Sequence, residues 1–176
     1  MNHPGLNNQY QVTARTRLAL LYNDQSVLEA HHCSKTFEIL TNEETNIIAG
    51  LSESDYREFR RIIISAIMAT DMGSHFEIVS RFKTRLADLR STEINQSDKM
   101  LIMNTFLHAA DVSNVVKPWT VAKRWSDMVF EEFLNQGDSE RENGLQISPY
   151  MDRFNTSQVK MSIGFIGKFV PTTLVN

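Results

Sequence analysis

The sequence predicts an all-α domain, and three observations carry that reading. Apolar residues recur at three- and four-residue steps along most of the chain, helix-start signals precede several of these runs, and no segment alternates apolar and polar residues over a strand's length. Helical segments with no strands between them argue for helices packed on helices around a buried core. The 176 residues amount to a single domain spanning 1–176 at most.

Taken in order, Pro4, Gly5 and the Asn7-Asn8 pair mark an opening loop. Tyr10 to Tyr22 reads as one or two short helices with Leu18 and Leu21 on an apolar side. Asp24 is the expected cap of a helix through Leu40, whose face carries Val27, Leu28, His31 and Phe37. After a polar connection from Thr41 to Gly50, Ser52 and Asp55 form a capping pattern. The next helix places Tyr56, Phe59, Ile63, Ile67 and Thr70 on one stripe and ends near Gly73. Its isoleucines would also suit a strand, but its length without turn residues favours a helix. His75 to Arg90 follows with Phe76, Val79, Phe82, Leu86 and Leu89, and Ser91 to Ser97 connects it to a helix over Met100–Ala110. Pro118 starts a long helix with Val121, Trp125, Met128, Val129 and Phe133 on its face; the segment up to Gly144 continues it or forms a second piece. Ile147 to Asn155 reads as a loop, and Val159–Val170 as a last helix weakened by Gly164 and Gly167.

Composition narrows the function classes. The formal charge of −3 comes without a block of like charge, so nucleic acid and anionic membrane surfaces are not expected partners. Cys33 is the single cysteine, which excludes an internal disulfide framework and suits a reducing, intracellular (cytoplasmic) setting. Beside His31 and His32 it could join a metal cluster, but without a second thiol a buried structural cysteine fits better. No apolar run reaches membrane-spanning length, and the first residues lack the basic start and apolar core of a signal peptide.

Chemistry concentrates at Leu107-His108-Ala109-Ala110-Asp111-Val112-Ser113-Asn114. Met103, Leu107 and Asp111 follow at four-residue steps, so Asp111 is expected on a face that Met103 and Leu107 bury. A carboxylate there needs a cation or strong donors. His108 and Asp111 have a spacing that metal ligands use on one helix. The plain alternative is a helix-ending Asp111 and a hydrogen-bonded core His108.

Further segments accompany it: Asn2-His3-Pro4-Gly5, Ser26-Val27-Leu28-Glu29-Ala30-His31-His32, Ala69-Thr70-Asp71-Met72, Glu131-Glu132-Phe133 through Gln136-Gly137-Asp138, Ile147-Ser148-Pro149, and Ile163-Gly164-Phe165-Ile166. In this order and spacing they closely resemble, nearly end to end, the catalytic domain of the class I 3′,5′-cyclic-nucleotide phosphodiesterases, all-helical metallohydrolases of the HD type. The resemblance implies metal-dependent hydrolysis of cyclic AMP, cyclic GMP or both to 5′-monophosphates, with two divalent ions, zinc in one site and magnesium or manganese in the other. In such chemistry the metal pair supplies the nucleophile and neutralises phosphoryl charge.

By the same resemblance, Asp111 matches one of four first-metal ligands. The other three, a leaving-group histidine and the family's N-terminal helices would precede residue 1, so the chain is expected to be a piece cut at both ends and inactive alone. His3 matches a histidine near the metals and phosphate, Glu29 a glutamate orienting metal-bound water, and Thr70 a residue touching such water. Without the family, His3 reads as a loop histidine, Glu29 as a helix-surface acid and Thr70 as a hydroxyl bonded to its own helix. Asn114 resembles a residue near the purine and Phe165 the aromatic stacking on it, with Val129, Phe133, Met72 and Tyr150 lining the pocket; each could equally be core.

One departure stands out. The family places a purine-binding glutamine immediately before the Ile-Gly-Phe pattern, where this chain has Ser162, and Gln158 lies one turn earlier. A hydroxyl replaces a two-ended amide, at a cost of roughly 1–3 kcal/mol in purine affinity if unmet. Either Gln158 substitutes, or recognition is altered, or the enzyme is weakened. A second class of function therefore stays open: a non-catalytic helical module derived from such an enzyme that binds a nucleotide or a partner.

Overall fold

The computed structural model describes residues 1–88 and 93–174, with side chains described through Phe169. Among the described residues there are eight α-helices, two short 3-10 turns and no strand, as the periodicity predicts. The helices are α1 (Asn8–Thr13), α2 (Arg17–Tyr22), α3 (Val27–Leu40), α4 (Glu53–Met68), α5 (His75–Asp88), α6 (Gln96–Asp111), α7 (Trp119–Glu142) and α8 (Gln158–Leu174). They gather into two compact units. One comprises Met1–His3 with Gln25–Ala110, the other Pro4–Asp24 with Asp111–Asn176.

In the first unit, α3 buries Val27, Leu28, His31 and Phe37 as its spacing requires. Its start differs from expectation. Asp24 is not the cap: Ser26 takes the cap position in a left-handed conformation and makes no capping bond with its side chain. The Ser26 hydroxyl instead donates to Asp71 Oδ2 at 2.7 Å, joining the start of α3 to the end of α4. The capping pattern at α4 holds, with Ser52 Oγ accepting from the Asp55 amide. α4 ends at Met68, earlier than Gly73, and Asp71 then caps the 3-10 turn Met72–Ser74. Phe37 and Phe59 pack edge to face, and the Arg60 guanidinium lies over the Phe37 ring at 4.2 Å.

α5 and α6 contradict their predicted faces in part. On α5 the buried residues are His75, Ile78 and Val79, while Phe76 and Leu86 are exposed; Leu89 and the Ser91-Thr92 start of the connection lie outside the described residues. On α6 the buried stripe is Asp98, Thr105 and His108. Met103 and Leu107 are exposed and Asp111 with them, so the expected apolar face around Asp111 is the outer one. The physical reason is that polar residues on the other stripe are fully satisfied. Arg85 makes two bonds to the Asp98 carboxylate, at 2.5 and 2.6 Å, and Asp98 also accepts from the Asn95 amide. Buried polar groups satisfied in this way no longer oppose burial.

In the second unit, Asn7 caps α1 and Thr16 caps α2, resolving Tyr10–Tyr22 into two helices. Here Ala19 rather than Leu21 is buried. α7 runs unbroken to Glu142, so the segment up to Gly144 is a continuation. Its buried residues are Leu134, Gln136, Gly137 and Glu140, whereas Val121, Trp125 and Met128 are exposed. Gly137 has a steric role: a Cβ there would lie 1.8 Å from the Met151 carbonyl oxygen, so only glycine lets the 147–155 loop cross α7. Among the described residues no single helix is long and apolar enough to cross a membrane.

Candidate active site

The first unit carries His3, Glu29, Thr70 and Met72. Ser26 and Asp71 join the first turn of α3, which bears Glu29, to the turn that follows Thr70. Glu29 and Met72 are half-buried. The Thr70 hydroxyl donates to Ile67 O at 2.7 Å, as the plain reading anticipates, leaving its lone pairs as acceptors. His3 is exposed, with its ring 5.8 Å from that of His32. His31 Nε2 meets the Asn2 amide at 3.1 Å, and His32 Nδ1 meets Met1 O at 2.7 Å. Burial lowers the pKa of both His31 and His32, and like charge nearby lowers it further. The two rings hold the N-terminal residues against α3. Cys33 belongs to the core, its thiol 3.9 Å from Ile64 O and its pKa raised by burial.

His108 is settled as a core histidine. It is fully buried, its Nδ1 lies 2.8 Å from Ala69 O, and its Nε2 lies 2.8 Å from His75 Nδ1. Neither nitrogen is left for a metal. His75 was not singled out by the sequence, because a histidine opening a helix carries no distinguishing pattern.

The second unit carries the rest. Asp111 is the exposed last residue of α6, and Asn114 follows in the 3-10 turn Ser113–Val116. Val129, Phe133 and Phe165 are half-buried on α7 and α8, so none is a fully enclosed core residue. Ser162 Oγ lies 3.4 Å from Ser126 Oγ. Gln158, one turn earlier on α8, donates its amide to Ser126 Oγ at 3.0 Å and to Asp127 Oδ1 at 2.6 Å. The amide nitrogen that could replace the missing glutamine is therefore committed to α7. Ser126, which sequence reasoning missed, links both positions; a lone serine on a polar helix stretch gives no signal. Tyr150 sits in the left-handed region at φ 65°, with its hydroxyl beside Gly164 of α8.

The metal question has a direct answer in the donor set. Among the described residues no group of three or more His, Cys, Asp or Glu side chains could hold a metal ion. Catalytic zinc sites take about three protein ligands, so the described residues do not fit the implied ions unaided, and Asp111 offers a single ligand.

Comparison with known proteins agrees with the helical architecture. A model of the family described as 3'5'-cyclic nucleotide phosphodiesterase matches residues 1–175. The chain is 42% identical over 166 residues to the 3',5'-cyclic-nucleotide phosphodiesterase regA of Dictyostelium discoideum, covering 94% of this chain and 21% of that protein. To the high affinity cGMP-specific 3',5'-cyclic phosphodiesterase 9A of Mus musculus it is 41% identical over 170 residues, covering 97% and 31%. The crystal structure of the phosphodiesterase domain of Salpingoeca rosetta rhodopsin phosphodiesterase superposes with a TM-score of 0.89 at 34% identity, covering 98% of this chain and 53% of that one. The chain thus spans between 21% and 31% of the length of these two curated relatives. The family match extends over residues 1–175 and the superposition over 98% of the chain, and the chain belongs to the 3'5'-cyclic nucleotide phosphodiesterase family.

Proposed function

We propose that the protein carrying this chain hydrolyses 3′,5′-cyclic nucleotides, cyclic AMP, cyclic GMP or both, to 5′-monophosphates inside the cell. The observation that carries the reading is the family match over residues 1–175 together with the position of Asp111, an exposed acid ending α6. The family is metal-dependent; zinc, with magnesium or manganese, is the proposed pair, and their charge would offset that of the phosphoryl oxygens. In this reading the remaining ligands come from other sequence of the natural protein, and the chain alone is expected to be inactive.

Within this chain, Asp111 is the proposed metal ligand. Glu29 and Thr70 would orient water and His3 would support the phosphate. Asn114, Phe165, Val129, Phe133, Met72, Tyr150 and Ser162 would receive the base. The half-burial of Phe165, Val129 and Phe133 supports this, since a stacking surface must be reachable. The engaged Gln158 amide and the short Ser162 favour the second reading, a nucleotide- or partner-binding module. Turnover of both nucleotides by the natural protein, including any sequence before residue 1, decides between them. Chelator-sensitive turnover lost in Asp111→Ala supports the enzyme; a folded, metal-loaded protein without turnover supports the module.

A further inference from the structure

The second unit contains a buried polar chain that the proposed chemistry does not use. Gln136 and Glu140 lie one turn apart on α7, 2% and 3% exposed. Gln136 grips Asn7 twice: its Oε1 accepts from the Asn7 amide at 2.9 Å, and its Nε2 donates to Asn7 Oδ1 at 3.1 Å. The same Nε2 donates to Glu140 Oε1 at 2.9 Å. Glu140 in turn accepts from the Ser148 hydroxyl at 2.7 Å and from the Ser148 amide at 2.6 Å. Asn7 caps α1 and closes the Pro4–Asn7 turn, while Ser148 lies in the 147–155 loop that presents Tyr150.

The N-terminal turn is only partly enclosed, with Gly5 and Leu6 half-buried. An open groove of about 540 Å³ lies there, lined by Pro4, Gly5 and Leu6 and by Met128, Glu131 and Glu132. The loop at the other end crosses α7 so closely that Gly137 admits no side chain, and Tyr150 is held at φ 65°. A residue in that region keeps its conformation only where the surroundings impose it. Hydrogen bonds that pass through one pair of side chains thus link the two segments, beside local bonds such as Gln11 to Leu6 O and Arg141 to Asp152, and low-dielectric surroundings make such a chain costly to break in part.

We propose that Glu140 is a positioning residue: through Gln136 it couples the Pro4–Asn7 turn to the Ser148–Met151 loop and so sets where Tyr150 stands beside α8. The role of Tyr150 in receiving the base rests on the proposed function; the coupling does not. In these contacts Glu140 meets only donors, so Glu140→Gln sets an amide N–H against one of them at nearly constant volume.

Hydrogen exchange on the chain tests the coupling. Glu140→Gln and Asn7→Ala should each raise exchange about tenfold at both residues 6–11 and residues 148–151, with residues 128–134 of α7 unchanged. Exchange rising in one segment only, or equally throughout α7, overturns the coupling. In the natural protein, Glu140→Gln should raise KM about tenfold with kcat within about twofold, Ser148→Ala should act in the same direction, and Ser148→Thr should restore KM. A matching loss in kcat at constant KM overturns the positioning role. Absence of turnover in the unsubstituted protein overturns the proposed function, and the exchange result alone then decides the coupling.

Discussion

His75 Nδ1 lies 2.8 Å from His108 Nε2, and neither ring reaches solvent. The Ala69 carbonyl can only accept, so His108 carries its proton on Nδ1 and accepts from His75 on Nε2. This pair ties the start of α5 to α6 and to the end of α4, one turn before Asp111.

The pair makes the first unit sensitive to acid. Burial, with the neighbouring His108, lowers the His75 pKa below 6.5, and burial lowers those of His31 and His32 as well. The unfolded chain then takes up protons before the folded one, so stability is complete above about pH 6.5 and falls as pH drops through the lower folded values. Urea denaturation between pH 7.5 and pH 5 should show this loss. His75→Asn should flatten the slope in part, leaving the share of His31 and His32. An unchanged slope would show that His75 titrates alike in both states.

Arg85 and Asp98 give the opposite end of the scale. Arg85, followed by the Asn95 amide, holds the Asp98 carboxyl down at about 2. Its stabilising effect is present above the unfolded value near 3.8 and disappears as pH falls toward 2. In Arg85→Met, an NMR titration of the Asp98 side-chain carbon should report a midpoint moved back up toward 3.8. A midpoint that stays low would assign the effect to the Asn95 amide alone.

Two glycines should respond in opposite directions. Gly137→Ala forces a Cβ to within 1.8 Å of Met151 O and should cost at least about 2 kcal/mol. Gly167→Ala, inside α8 with nothing within 4 Å of the new Cβ, should stabilise by up to about 1 kcal/mol. Chemical denaturation reads both, and destabilisation by Gly167→Ala would show that α8 needs that glycine for more than propensity.

Asp111 occupies the wrong end of a helix for a carboxylate. At the C-terminus of α6 it opposes the macrodipole, so Asp111→Asn should stabilise the chain by about 0.3–1 kcal/mol. In the natural protein the same change should abolish metal-dependent turnover. A gain in stability paired with loss of activity would mark a residue retained for chemistry. Unchanged activity would remove Asp111 from the proposed site.

In the proposed function, base recognition turns on Ser162. Ser162→Gln should lower KM for at least one cyclic nucleotide, consistent with about 1–3 kcal/mol of restored hydrogen bonding. Parallel assays with cyclic AMP and cyclic GMP would show which. No change with either would mean that the base is read by other groups.

Helix existence was legible because it depends on local terms: step size, capping side chains and the absence of alternation. The Ser52–Asp55 cap and the α3 stripe are as the residues foretold. The motifs carrying Asp111, Thr70 and Phe165 were legible for a different reason, as an ordered series of short segments. Which face of a helix is buried was not legible wherever polar side chains found partners far along the chain. α6 turns inward through Asp98 and His108 because Arg85, His75 and Ala69 meet them, and α7 through Gln136 and Glu140 because Asn7 and Ser148 do. Hydrophobic periodicity scores such residues as outward-facing, and only partners brought from elsewhere in the chain reverse that. The sequence by itself determined the helices and the family; tertiary contacts decided which polar groups lie inside, because burial of a polar atom depends on its partner and not on its own type.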